Sequence, residues 1–112
     1  MPSPATAWTA DLDLLVGAAR LAGARALDFF RKGPEVWWKN GGRSPVSAAD
    51  FAANDILKTE LLSARPNYGW LSEETDDDAG RLNRETVFVI DPIDGTRSFI
   101  TGKDVWCVSA AV

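Results

Sequence analysis

Apolar positions recur at helical spacing early in the chain. Leu15, Ala18, Ala19, Ala22, Ala26 and Phe29 share one side of a helix, while Arg20, Asp28 and Arg31 fall off it. Thr9-Ala10-Asp11 reads as the start, with Asp11 and Asp13 near the positive end of the helix dipole, and Gly33-Pro34 as the stop. The spacing predicts a helix over 9–32 with a narrow, alanine-rich packing face. Val36-Trp37-Trp38 is short and β-prone, and Lys39 to Arg43 reads as a flexible basic loop. Ser47, with Asp50 three residues on, resembles a capping box with Asp in place of Glu or Gln. Ala49, Ala52, Ala53, Ile56, Leu57, Leu61 and Ala64 then define a second amphipathic helix, closed by Arg65 to Gly69.

The second half has the period of strands. Trp70-Leu71-Ser72 is a brief apolar run that ends at Glu73-Glu74, and Thr75 to Arg84 is a polar loop. Thr86-Val87-Phe88-Val89-Ile90 is unbroken, so a strand buried on both faces is expected, ending at Asp91-Pro92. After a turn at Asp94-Gly95, Ser98-Phe99-Ile100 and Val105 to Val112 read as further strand. The last run continues to the final residue with no turn or polar tail, so the chain is expected to be the front part of a longer one. The fold class is α+β, with two helices packed on a β-sheet.

Composition narrows the chemistry. The chain has 112 residues, 46% of them hydrophobic, and 16 acidic against 12 basic side chains give a net charge of −4. That balance offers no reason to bind a nucleic-acid polymer, whose backbone attracts Lys and Arg. A small phosphorylated substrate remains compatible, because a bound divalent cation reverses the sign of a carboxylate site. One cysteine, Cys107, excludes an intrachain disulfide and fits a cytoplasmic setting. That thiol lies in an apolar strand and is expected to be buried and inert. Met1 to Ala10 does not read as a signal peptide, and no segment has the about 20 apolar residues of a membrane span. The absence of histidine removes His-based triads and imidazole acid–base steps, leaving carboxylates, hydroxyls, backbone groups and a metal.

Asp91-Pro92-Ile93-Asp94-Gly95-Thr96 is the most informative segment. A buried strand that delivers two carboxylates at its end is costly unless something pairs the charge. Pro92 fixes one φ angle, and Gly95 permits a tight turn and a close approach to a ligand. Asp91, Asp94, the Ile93 carbonyl and the Thr96 hydroxyl form a hard-oxygen set suited to Mg²⁺. Adjacent residues on an extended chain face opposite ways, so one of Glu73 and Glu74 joins the site, and Glu73 is the choice. Asp50, in the first turn of the second helix, has an ordinary role as cap and dipole partner. Lys39 and Arg43 would ordinarily be solvated loop charges. The tryptophans, Trp37, Trp38 and Trp106 among them, read as packing residues.

In order and spacing, Lys39, Ser47-Ala48-Ala49-Asp50, Leu71-Ser72-Glu73-Glu74 and the Asp91–Thr96 string resemble the inositol monophosphatase superfamily of lithium-sensitive, Mg²⁺-dependent phosphatases. The Ser-Pro-Val-Ser and Leu-Ser-Glu-Glu forms look closest to its bacterial 3′(2′),5′-bisphosphate nucleotidase branch. The resemblance runs from about residue 9 onward. It implies the N-terminal portion of a layered αβαβα sandwich, with 1–112 as part of a single phosphatase domain. It implies two or three Mg²⁺ ions, with Glu73, Asp91 and the Ile93 carbonyl on the first and Asp91 and Asp94 on the second. Thr96, with Glu73 or Asp50, would position the attacking water. The N–H groups of Gly95 and Thr96 would hold phosphate oxygens, and Lys39 would lie on a mobile loop over the metals.

The family's later Trp-Asp-x-Ala motif, which completes the second metal site, does not occur in this sequence. The activity implied is removal of the 3′-phosphate from adenosine 3′,5′-bisphosphate, with inositol 1-phosphate as the alternative substrate. A third possibility is a catalytically incomplete module that binds or dimerises through its open terminal strand.

Overall fold

The computed structural model describes residues 4–30, 36–39, 44–74, 79–103 and 106–112, with backbone alone at 4–7, 36–39, 44–46 and 79. Helix α1 spans Pro4–Phe29, strands β1 and β2 span Val36–Lys39 and Ser44–Ser47, and helix α2 spans Ala48–Ala64. Strand β3 (Gly69–Ser72), a 3₁₀ turn (Ala79–Asn83), strand β4 (Val87–Asp94), helix α3 (Thr96–Ile100) and strand β5 (Cys107–Ala111) follow. β1 and β2 form an antiparallel pair. β4 is the central strand of a mixed sheet, parallel to β3 and antiparallel to β5.

The alanine stripe of α1 works as expected: Leu15, Ala18, Ala22 and Ala26 are buried, and small side chains let α1 and α2 approach closely. Leu15, Ala18 and Ala22 pack with Ala53, Leu57 and Leu61 of α2 and with Phe88 and Ile90 of β4. A second cluster joins Ala26, Ala49, Ile93 and Phe99. Around Phe99 the Phe30 and Trp106 rings close at centroid distances of 5.4 and 4.9 Å, which fixes α3 and the entry to β5.

Several expectations change. α1 begins at Pro4, so Thr9 is interior, and no acid lies in the first turn. Asp11 is not a dipole partner but a buried acid, 1% exposed. Its Oδ1 accepts from Arg65 Nε at 2.9 Å and its Oδ2 from the Tyr68 hydroxyl at 2.8 Å, tying α1 to the segment after α2. Burial first, and then the Asp11 carboxylate, push the Tyr68 phenol above its ordinary range. The helix stop at Gly33-Pro34 lies outside the described residues. Part of the polar loop over 75–84 is the 3₁₀ turn.

Ser98-Phe99-Ile100 is helical rather than extended. β4 continues through Asp91 to Asp94, and its burial alternates instead of being complete on both faces: Phe88 and Ile90 face the helices while Val89 is 49% exposed. On that open face Val89 pairs with Ala111, and Cys107 is exposed rather than buried.

Gly69 shows how tightly β3 enters the sheet. A Cβ there would lie 3.0 Å from Val87 Cγ2 and 3.1 Å from Arg81 Cβ. Gly69→Ala is expected to destabilise the fold by about 1–2 kcal/mol, the usual scale of overpacking, read as a lower denaturant midpoint. An unchanged midpoint would contradict the packing described.

Candidate active site

The carboxylates gather where β3 and β4 end. In a regular strand Asp91 and Asp94, three residues apart, would face opposite sides of the sheet. Here Asp91 pairs with Ser109 and Asp94 with Cys107, three residues against two, so β4 carries one extra residue between them. That bulge returns Asp94 to the same side as Asp91. Pro92, which has no N–H to give to the ladder, falls inside it. The string Asp-Pro-Ile-Asp therefore sets both acids on one face, a consequence of register that pattern reading missed.

Asp91 is half-buried, and its Oδ1 is a buried oxygen with no hydrogen-bond partner among the described residues. Its carboxyl is pushed up to about 6 from 3.8, first by burial and then by the charges of Glu73, Asp94, Glu74 and Asp50. A buried acceptor that is repelled by four acids and satisfied by no donor is what a cation would relieve. Among the described residues no three acidic side chains already stand close enough together to share an ion. The donor set nevertheless fits one: hard oxygens, surplus negative charge and an unmet acceptor.

Glu73 and Glu74 lie in a turn directly after β3 rather than on extended chain, so strand alternation does not choose between them. Both act on Asp91, with Glu73 named first among the charges. The Glu73 N–H donates to the Ile90 carbonyl at 3.3 Å, which carries the β3–β4 ladder up to Asp91's neighbour.

Asp50 holds two roles at once. It is fully buried, and the capping box at Ser47 is formed in both directions. Its Oδ2 accepts from the Ser47 N–H at 2.9 Å and the Ser47 hydroxyl at 2.6 Å. Its Oδ1 is 2.9 Å from the Thr96 hydroxyl, which also lies 3.0 Å from the Ile93 carbonyl. The helix cap thus reaches across to the turn after β4. Gly95, the N-cap of α3, sits at φ 94°, a left-handed conformation that only glycine adopts without strain. Gly95 and Asp94 are exposed, and Thr96 is half-buried. Lys39 is the last residue of β1, paired with Ser44, rather than a loop residue, and the rest of the segment expected to be a loop, 40–43, lies outside the described residues. Two buried polar residues, Asn54 and Ser72, also stand behind the acids and had no distinguishing signal in the sequence.

The scaffold is that of an α+β protein with acids at the carboxyl ends of β3 and β4. The chain belongs to the inositol monophosphatase family, whose model matches residues 9–112. It is similar to the 3′-phosphoadenosine 5′-phosphate phosphatase of Mycobacterium bovis, 47% identical over 66 residues, covering 58% of this chain and 25% of that protein. It is also similar to the histidinol-phosphatase of Chlorobaculum parvum, 36% identical over 105 residues, covering 93% of this chain and 39% of the relative. In structure it resembles the extragenic suppressor protein suhB of Bartonella henselae, with a TM-score of 0.81, 34% identity, and coverage of 91% of this chain and 40% of the other. The chain thus spans at most about two fifths of the length of these relatives.

Proposed function

We propose that this chain supplies the cation-binding centre of a metal-dependent phosphomonoesterase. The observation that carries the reading is the Asp91 oxygen, buried without a donor among the described residues and repelled by nearby acids. Glu73, Asp91 and the Ile93 carbonyl would hold one Mg²⁺, and Asp91 with Asp94 a second. When bound, such ions activate water and neutralise phosphate charge. The Thr96 hydroxyl has one proton and two acceptors in reach. Given to Asp50, the charged acceptor, that proton leaves the oxygen's lone pairs free to orient a water. The N–H groups of Gly95 and Thr96 would bind phosphate oxygens.

The first substrate of this reading is adenosine 3′,5′-bisphosphate, supported by the 47% identity to a mycobacterial 3′-phosphoadenosine 5′-phosphate phosphatase. Inositol 1-phosphate is the alternative that the family name suggests. Histidinol phosphate is a second reading, favoured by a relative matched over nearly the whole chain. No helix among the described residues is long and apolar enough to cross a membrane, and a cytoplasmic setting suits all three substrates. In the described sheet β5 is an edge strand, which supports a homodimeric or binding module as the non-catalytic reading.

Phosphate release from the three esters, measured with Mg²⁺ on the wild-type chain and on Asp91→Asn, tests the proposal. Because the relatives are more than twice as long, turnover by these 112 residues is expected to be weak, but Mg²⁺-dependent and lost in Asp91→Asn. Saturable Mg²⁺ binding with no release would favour the binding module. The absence of both Mg²⁺ binding and phosphate release would overturn the proposal.

A further inference from the structure

We infer that Asn54 is a positioning residue for the cation site, acting through Ser72 on the turn that carries Glu73 and Glu74; the inference rests on the reading of that site given above. Asn54 and Ser72 are 4% and 5% exposed, and they meet between α2 and the end of β3. The Ser72 hydroxyl lies 2.5 Å from Asn54 Oδ1, and the Glu74 N–H donates to the Ser72 oxygen at 3.3 Å. Since that oxygen already accepts from Glu74, its single proton is available for donation, and it goes to the Asn54 carbonyl. The chain of donors is therefore directional, from Glu74 N–H to Ser72 to Asn54.

The turn is held on two sides. The Glu73 N–H is fixed to the Ile90 carbonyl, one residue before Asp91, and the Glu74 N–H is fixed to the hydroxyl that Asn54 orients. Asn54 lies four residues after Asp50, on the same flank of α2. One helical turn thus sets both sides of the site: Asp50 reaches Thr96 after β4, and Asn54 reaches Ser72 before Glu73. A buried amide and hydroxyl that only satisfied each other would stabilise the fold without affecting the acids. The further bond to Glu74 N–H is what links this pair to the placement of the carboxylates. Partners of this kind behind metal-ligating groups are worth about 10–100-fold in metal affinity.

The test is a calorimetric titration with Mn²⁺ alone, a cation that also prefers carboxylate oxygens. It compares the wild-type chain with Asn54→Ala, Ser72→Ala, Ser72→Thr and the double alanine variant, each with its melting temperature. Asn54→Ala and Ser72→Ala are each expected to weaken Mn²⁺ binding about 10-fold. The double variant should lose no more than either alone, because both break one path, and Ser72→Thr, which keeps the hydroxyl, should bind as wild type. If Asn54→Ala does not fold, the contrast between Ser72→Ala and Ser72→Thr reads the same path from its other end. Lower melting temperatures with unchanged Mn²⁺ affinity would overturn the positioning role and leave the site's reading intact. No saturable Mn²⁺ binding by the wild type would overturn both.

Discussion

Asp91→Asn is expected to make the cation-free protein more stable while removing its response to Mg²⁺. The folded carboxyl titrates at about 6 rather than 3.8, so the fold favours the protonated form. Its contribution to stability is therefore fully present below pH 3.8 and is lost as pH rises through about 6. Above that window the wild type carries an ionised, poorly solvated carboxylate among four other acids, and the neutral amide does not. With allowance for solvent screening of this half-buried group, the gain is roughly 1 kcal/mol, or about 4 °C in melting temperature. Saturating Mg²⁺ should reverse the order, because only the carboxylate gains from the ion. Melting curves at pH 4.5 and 7.5, with and without Mg²⁺, read both effects. Equal melting temperatures for the two proteins under all four conditions would contradict the account.

Asp50→Ala is expected to act in the opposite sense, with a loss of about 3 kcal/mol at neutral pH. Asp50 is a carboxylic acid like Asp91, but its oxygens accept from the Ser47 N–H, the Ser47 hydroxyl and the Thr96 hydroxyl. Alanine removes the Asp50 half of the capping box, worth about 1 kcal/mol, and strands the Ser47 donors in a buried place, where each unmet group costs about 1–3 kcal/mol, while the half-buried Thr96 hydroxyl keeps the Ile93 carbonyl. The sum falls short of simple addition because Ser47 can still cap the helix through its own oxygen, which the Asp50 N–H reaches at 3.4 Å. Asp50→Asn keeps one acceptor and should lose about half as much. Denaturant unfolding of the three proteins checks the order. A loss under 0.5 kcal/mol, the scale of an exposed substitution, would contradict the role assigned to Asp50.

The contrast between these acids shows what the sequence could and could not disclose. The Ser47–Asp50 box was legible because capping is local, decided within four residues. The α1 stripe was legible because Leu15, Ala18, Ala22 and Ala26 repeat over more than three turns. By contrast, α3 has five residues, too few to show a period. Phe99 is drawn inward by Phe30, which is distant in sequence, and by Trp106 beyond the end of α3. The shared facing of Asp91 and Asp94 depends on the bulge against β5, and the exposure of Cys107 follows from its pairing with Asp94. Asp11 resembled a helix-start acid until Arg65 and Tyr68, more than 50 residues away, claimed it. Asn54 carries no special pattern within α2, because its partner Ser72 comes from another element.

The claim on which the rest depends is that the acids around Asp91 form a divalent-cation site. Calorimetric titration of the wild-type chain with Mg²⁺ at pH 7.5 and pH 5, alongside Asp91→Asn, tests it most directly. Saturable binding is expected at pH 7.5, weaker binding at pH 5 where the ion must displace the Asp91 proton, and none in the variant. Binding of equal strength in Asp91→Asn, or no saturable binding by the wild type at either pH, would contradict it.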